Sequence, residues 1–503
     1  MSRFRFQAFV RGLSWSSLAP LLWIMKTEHS ISAGAPGGYR EVLRMAYPLI
    51  ISTGSFSVMQ FVDRVFLARH SAVSIQAALP AGLLSFTLIC AFMALAGYAN
   101  TFVAQYHGRG DPEGCSRATA QGVWLSLLSW PLILLLIPVG RWLLANAGHA
   151  PEVLAQELDY FTILMVGGVT IPLGAAISSF FTGRGDTLTN MYAQVAGNVV
   201  NIVLDYALIF GHWGLPEMGI RGAAIGTVIA GVVPSAIMFA LYFSPSLHAA
   251  YHTRTSFGWN RRLMARLIRF GLPSGLHLLL DVSSFSAFVL MTGHMGALPL
   301  AVSNIALSIN TLAFMPLVGI SIAASTLVGQ YQGRHDATHA EKSGWTALKV
   351  GLIYMTGMAA SYVLLPRLYF TLFSSEENGG FTLDELLGLG RYLLIMMATW
   401  GLLDSVNLIL AGALKGAGDT RFVMWYSTAG SWGLLVPGQW VVIYHLKGGI
   451  LMAWAWLTFV IMILSVGFWW RFRQGRWKSI DVLGRQEPLP PARTGTEAYI
   501  LPE

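Results

Sequence analysis

Four aspartates stand inside long apolar runs. Asp63 lies in SVMQFVDRVFLA, Asp205 in NVVNIVLDYALI, Asp281 in GLHLLLDVSSF and Asp404 in TWGLLDSVNLIL. A carboxylate in such a setting is costly to keep and usually functional. The chemistry it offers is reversible binding of a proton or a small cation. The plainer reading is a carboxylate near a helix end that reaches water or an arginine. It applies best to Asp63, which has Arg64 and Arg69 close by, and least to Asp281 and Asp404, which sit deep in their runs. Asn198 and Asn201 precede Asp205 by seven and four residues, so one helical face carries all three. Their oxygens suit a proton or Na⁺ site.

The elements that must hold these residues follow from composition. Of 503 residues, 54% are hydrophobic and only 11% charged, with a mean hydropathy of +0.57. A soluble domain is nearer a quarter charged. So few charges cannot cover a soluble protein of this length, and the remaining solvent is lipid. The net charge of +8 comes without a basic face carrying interleaved aromatics, so nucleic acid is not an expected partner. The two cysteines, Cys90 and Cys115, make neither a disulfide framework nor a metal site. HExxH, GxSxG and Walker A patterns are absent from the sequence, so ATP hydrolysis, enzymatic activity and a cofactor are not expected.

From about residue 40, apolar runs alternate with short polar breaks. A spanning helix needs about 20 residues. The runs predict helices at 42–67, 75–106, 115–139, 154–182, 188–210 and 219–243, then at 263–292, 298–331, 339–365, 385–414, 420–443 and 449–471. The two sets are copies. Val103–Asp111, VAQYHGRGD, returns 225 residues later as Val328–Asp336, VGQYQGRHD, and Pro48 and Pro273 keep the same offset. Gly183–Thr187 (GRGDT) pairs with Gly416–Thr420 (GAGDT) at an offset of 233, which places an insertion of eight residues in the connection 366–384. Gly108 and Gly333 are expected to turn the chain after helices 2 and 8. Six helices per copy give a parallel repeat about an axis along the membrane normal.

The expected organisation is an N-terminal extension at 1–39, an N-lobe at 40–243, a linker at 244–262, a C-lobe at 263–471 and a tail at 472–503 without regular structure. Met25-Lys26-Thr27-Glu28 reads like a start, so residues 1–24 are expected to be an over-extended reading frame. Arg109, Arg117, Arg184, Arg254, Arg261, Arg262, Arg334, Lys342, Lys415 and Arg421 fall in connections on one side. By the positive-inside rule that side, with both termini, is cytoplasmic. The expectation is therefore a multi-pass, all-α inner (plasma) membrane protein of twelve helices, acting as a monomer.

The motifs together resemble the multidrug and toxic compound extrusion family. They are Pro48 with Asp63 in FVDRVFLAR, the two nine-residue repeats, KGAGDT at 415–420, and RFGLPSG with AASTLVGQYQGR across helices 7 and 8. The resemblance spans roughly residues 40–470. It implies two six-helix lobes in a V around a central cavity and export driven by H⁺ or Na⁺. It also implies an N-lobe proton site at Asp63, Tyr160, Asn201, Asp205 and Thr227. The C-lobe cation site it implies comprises Asp281, where many members have Glu, and Asp404, which could hold Na⁺. Trp400 takes the place of a tyrosine found in some relatives, so at that position the resemblance points to substrate rather than cation.

The leading expectation is an ion-coupled antiporter that exports amphipathic, often cationic, organic compounds by alternating access. Met59, Phe285, Met315 and Trp400 would line its cavity. The runner-up is a lipid-linked oligosaccharide flippase, which should line its cavity with cations for pyrophosphate; the in-membrane charges here are mostly acidic. A membrane receptor or scaffold would leave the duplicated halves and the acids unexplained.

Overall fold

The computed structural model describes residues 35–373 and 381–484; the proposed start near Met25 and most of the tail lie outside them. The described chain is all helix. We number the membrane helices α1 Tyr39–His70, α2 Ala72–Arg109, α3 Pro112–Ala145, α4 Pro151–Arg184, α5 Thr187–Phe210, α6 Ile220–Tyr242, α7 Arg261–Met295, α8 Ala297–Gly333, α9 Ala337–Leu364 and α10 Leu383–Ala417. The eleventh, α11, runs over 420–445, and α12 is Ile450–Gln474. Eleven are long and apolar enough to cross a membrane. The exception is α11, which is broken by π-helical stretches at Ala429–Leu435 and Val441–His445. Pro437 has no N–H to give the ladder, and Gly430, Gly433 and Gly438 tolerate the widened turns.

Polar residues beside the apolar runs set the helix starts. Asp111, Asp186, Asn260, Asp336 and Thr382 each accept a hydrogen bond from a backbone N–H of the first turn that follows. The His339 N–H, followed by its side chain, holds the half-buried Asp336 carboxyl below its usual range. The expected linker is not a loose strand. It carries a short helix, Pro245–Tyr251, and docks on α3, where Gln121 and Trp124 donate to the carbonyls of Gly258 and Phe257 at 2.9 and 3.1 Å.

Helices α1–α6 and α7–α12 form two lobes arranged as a V. The apex is the face where α2 and α8 end, here called the closed face. Small residues let the backbones meet there. A Cβ on Gly319 of α8 would sit 2.8 Å from the Ile50 nitrogen of α1, and one on Gly275 of α7 would sit 2.5 Å from the Ala91 carbonyl of α2. Val42, Met45, Ala46 and Leu49 of α1 share a core with α8 and α10, so α1 begins in the C-lobe and ends in the N-lobe. Both described chain ends lie on this face: Lys342 donates to the Pro36 carbonyl and Gln332 to that of Lys478, each at 2.8 Å.

The repeated nine-residue motif is the apex itself. Gln105 donates to the carbonyl of Gly416 at 3.1 Å, and Gln330 donates to that of Gly183 at 2.9 Å. Each copy of the motif thus binds the Gly-rich turn of the other lobe. Gly108 and Gly333 are not the turning residues the sequence suggested. They are points of closest approach, each facing the backbone carbonyl of the opposite glutamine. The turns fall two residues later, on Gly110 (φ 76°) and His335 (φ 59°). The tail also departs from expectation. Trp477, Val482 and Leu483 are buried, and the last two join the N-lobe core with Phe102 and Phe180, so the chain crosses from one lobe to the other.

A methyl on Gly333 must push the lobes apart at the apex. Gly333→Ala is expected to speed thiol labelling of a cysteine placed at the buried Ala104, with Cys90 and Cys115 replaced, at least severalfold over the same protein with Gly333 intact. Equal labelling rates would show that the apex yields elsewhere.

Candidate functional site

The N-lobe cluster is built by four helices. Asp63 comes from the last two turns of α1, Tyr160 from the middle of α4, Asn201 and Asp205 from one face of α5, and Thr227 from α6. The carboxyl groups of Asp63 and Asp205 face each other, with Tyr160 within electrostatic reach of both and Thr227 against the Tyr160 hydroxyl. Asn201 and Asp205 are 0% exposed. Both oxygens of Asp205, both amide atoms of Asn201 and Oδ1 of Asp63 are buried without a hydrogen-bond partner in the protein. Buried polar atoms are nearly always satisfied, so five orphans in one place mark a site built for something else.

Close packing fixes this geometry. Gly226 on α6 faces Asp205 Oδ1 so closely that any side chain there would displace the carboxyl. Asn198, about two turns before Asp205, is used differently. It donates to Ser55 of α1 at 2.7 Å and braces α5 against α1. Arg64 is exposed, and Asp63 forms no ion pair among the described residues, so the plain reading of Asp63 as an arginine partner does not describe this arrangement.

The C-lobe cluster joins α7, α10 and α11. Asp281 is open to solvent, and Ser431, in the first π-helical stretch of α11, reaches its carboxyl. Asp404 is half-buried and accepts from Asn407 at 3.1 Å. Two further residues complete it, His277, which the sequence did not single out, and Lys415, which the sequence placed in a connection. His277, one turn before Asp281, bonds to Ser427 at 3.0 Å. Lys415 does not stand in a connection. It occupies the last turn of α10 within the electrostatic reach of Asp281, while its carbonyl accepts from Tyr98 of the N-lobe at 3.0 Å. The four-residue spacing of His277 and Asp281 was a usable signal for the first, but nothing in the sequence distinguished Lys415 from the loop cations beside it.

The four expected cavity residues divide. Phe285 is 37% exposed and Met315 half-buried. Met59 and Trp400 are each only 6% exposed. Trp400 belongs to the C-lobe core, edge-on to Trp454 with centroids 5.9 Å apart, so packing rather than an open wall accounts for it. Among the described residues, no three His, Cys, Asp or Glu side chains converge as metal ligands.

The MatE family model matches residues 48–207 and 273–441, one segment in each lobe. The chain belongs to the MatE family. Among curated relatives of this MatE chain is the probable multidrug resistance protein NorM of Pseudomonas putida. It is 28% identical over 451 residues, covering 86% of this chain and 95% of that one. A solved MOP superfamily transporter from Pyrococcus furiosus superposes with a TM-score of 0.80 at 21% identity, covering 89% of this chain and 98% of the other. An outward-facing multidrug resistance MATE family transporter gives 0.79 at 20% identity, covering 88% and 97%. At these identities the structural matches establish the fold, with its two lobes of six helices.

The two asparagines of α5 separate bracing from function. Asn198→Ala removes a bond between helices and is expected to cost about 1 kcal/mol, lowering the thermal unfolding midpoint in detergent. Asn201→Leu removes two unsatisfied polar atoms and is expected to leave that midpoint unchanged or raise it. A larger loss at Asn201 than at Asn198 would contradict this division.

Proposed function

We propose that this MatE chain is a secondary antiporter that exports amphipathic organic cations in exchange for protons. The observation that carries the reading is the N-lobe cluster, two facing carboxyls that form no ion pair among the described residues, in a duplicated membrane bundle. Two carboxylates held this close cannot both stay charged cheaply, so the pair takes up a positive charge. Tyr160, Asn201 and Thr227 supply hydroxyl and amide groups that can follow either state. The family membership and the names of the relatives support multidrug efflux as the wider activity.

In the V arrangement the closed face seals one side. The clustering of Lys and Arg there supports placing that face, and both termini, in the cytoplasm. Proton entry from the open side would neutralise the Asp63–Asp205 pair and release a cationic substrate held by acidic groups of the cleft. Opening then requires the Gln105 and Gln330 contacts to break. One proton exchanged for one monovalent cation moves no net charge, so the proton gradient drives the step, and each tenfold of it supplies about 1.4 kcal/mol, enough for a gradient of roughly tenfold. Asp281 and Asp404 form a second candidate site for a cation, Na⁺ or substrate. Lys415 lies within electrostatic reach of Asp281 as Arg64 does of Asp63, but only the N-lobe brings two carboxyl groups face to face, which favours it as the coupling lobe. A lipid-linked oligosaccharide flippase is less well supported, since pyrophosphate would meet mostly acids.

The test is ethidium transport in energised vesicles, with pH and Na⁺ gradients imposed separately. A pH gradient is expected to drive transport, and Asp205→Asn is expected to reduce it at least tenfold. Gly226→Ala, which displaces the Asp205 carboxyl, is expected to act in the same direction while the protein stays folded. Transport driven only by Na⁺, with Asp205→Asn fully active, would overturn the assignment.

A further inference from the structure

A groove of 780 Å³ runs down the outer wall of the bundle, between the start of α1 and the first four turns of α9. It lies away from both carboxyl clusters. Tyr39, Lys342, Trp345, Leu348, Lys349 and Leu352 line it. Their order is informative. Lys342 and Lys349 are seven residues apart on one face of α9, with Trp345 and Leu348 between them and Leu352 further along. From the closed face inward the groove therefore offers a cation, an aromatic ring, a leucine beside a second cation, and then a further leucine.

Lys349 is the anomaly. It is exposed, and it lies twelve residues into a spanning helix. At a rise of 1.5 Å per residue that is about 18 Å from the helix start. A charged side chain on a lipid-facing wall is expensive unless it reaches the interface or a counter-charge. Lys349 makes no ion pair with a described carboxylate. The one acid in the groove, Glu341, is engaged by Lys478 at 2.5 Å and by the Trp345 indole at 3.2 Å. Helical side chains lean toward the helix N-terminus, which for α9 is the closed face, so Lys349 extends back toward Lys342. Lys342 holds the Pro36 carbonyl with one N–H and has two more to give.

We propose that this groove binds one anionic phospholipid, with its phosphate between Lys342 and Lys349. Trp345 and Tyr39 lie at headgroup level, where amphipathic rings settle, and an acyl chain follows Leu348 and Leu352. Basic pockets at the cytoplasmic rim of membrane helices take such headgroups. The chain's own segment before residue 35 is the other candidate, but it carries Arg3, Arg5, Arg11 and Lys26 against Glu28, and from a start at Met25 it still carries Lys26 and an α-amino group against Glu28. Its charge matches that of the groove, whereas a phosphodiester complements it. The lipid would tie α1 to α9 at the base of the C-lobe.

The test is native mass spectrometry of the full chain in detergent, titrated with phosphatidylglycerol or with phosphatidylethanolamine of identical acyl chains. At least a fivefold preference for phosphatidylglycerol at the first bound lipid is expected. It should be lost in Lys342→Gln/Lys349→Gln, reduced in Lys349→Gln alone, and kept in Lys447→Gln, which removes an exposed lysine beyond the other end of α11. Inorganic phosphate should not displace the lipid. Equal binding of the two lipids, an unchanged preference in the double variant, or displacement by phosphate would overturn the proposal. So would tighter lipid binding after removal of residues 1–34, which would give the groove to that segment. None of these outcomes depends on transport.

Discussion

Two carboxyl groups face each other between α1 and α5 without an ion pair among the described residues, and much of the structure is arranged around that constraint. In lipid there is no water to absorb the cost of an unmatched charge. Gly226 presses on Asp205 from α6, Asn198 braces α5 against α1, and Tyr160 closes the cluster from α4. The same helix that carries Asp63 begins inside the C-lobe core. A change in charge at one end of α1 is therefore felt by a helix whose other end belongs to the opposite lobe.

The duplication governs architecture more strictly than chemistry. At the closed face the symmetry is close: Gln105 and Gln330 bind reciprocal carbonyls, and Gly108 and Gly333 meet reciprocal backbones. At the sites it fails. The counterpart of Asp63 at the repeat offset is Phe288, which is fully buried and packs edge-on to Trp454. The counterpart of Asp205 is Gly438, inside the interrupted helix α11. Even the paired GDT turns diverge, since Asp186 caps α5 whereas Asp419 binds Arg471 at 2.7 Å. Each lobe keeps the packing of the common ancestor and carries its acids on different helices.

Much of this was legible in the sequence, because lipid makes helix placement almost a matter of apolar run length. The repeat, the helix order and the four carboxylates all follow from residue types and spacing. The convergence of Asp63 with Asp205 was reached only through the family resemblance, since spacing alone places each on its own helix. Three features were hidden for identifiable reasons. Close approach and turning both select glycine, so Gly108 could not be told from Gly110. The direction of a lysine at a helix end depends on packing, so Lys415 looked like a loop cation. The breaks in α11 depend on how neighbours tolerate a widened turn, although Pro437 hinted at them.

The central claim is that the Asp63–Asp205 pair holds a proton that substrate binding displaces. Proton release in weakly buffered detergent solution tests it directly: ethidium is added to the purified protein and the pH change is recorded. The account predicts release of protons by the wild-type chain and none by Asp63→Asn/Asp205→Asn, with ethidium still bound. Binding without proton release by the wild-type chain, or equal release by the double variant, would contradict it.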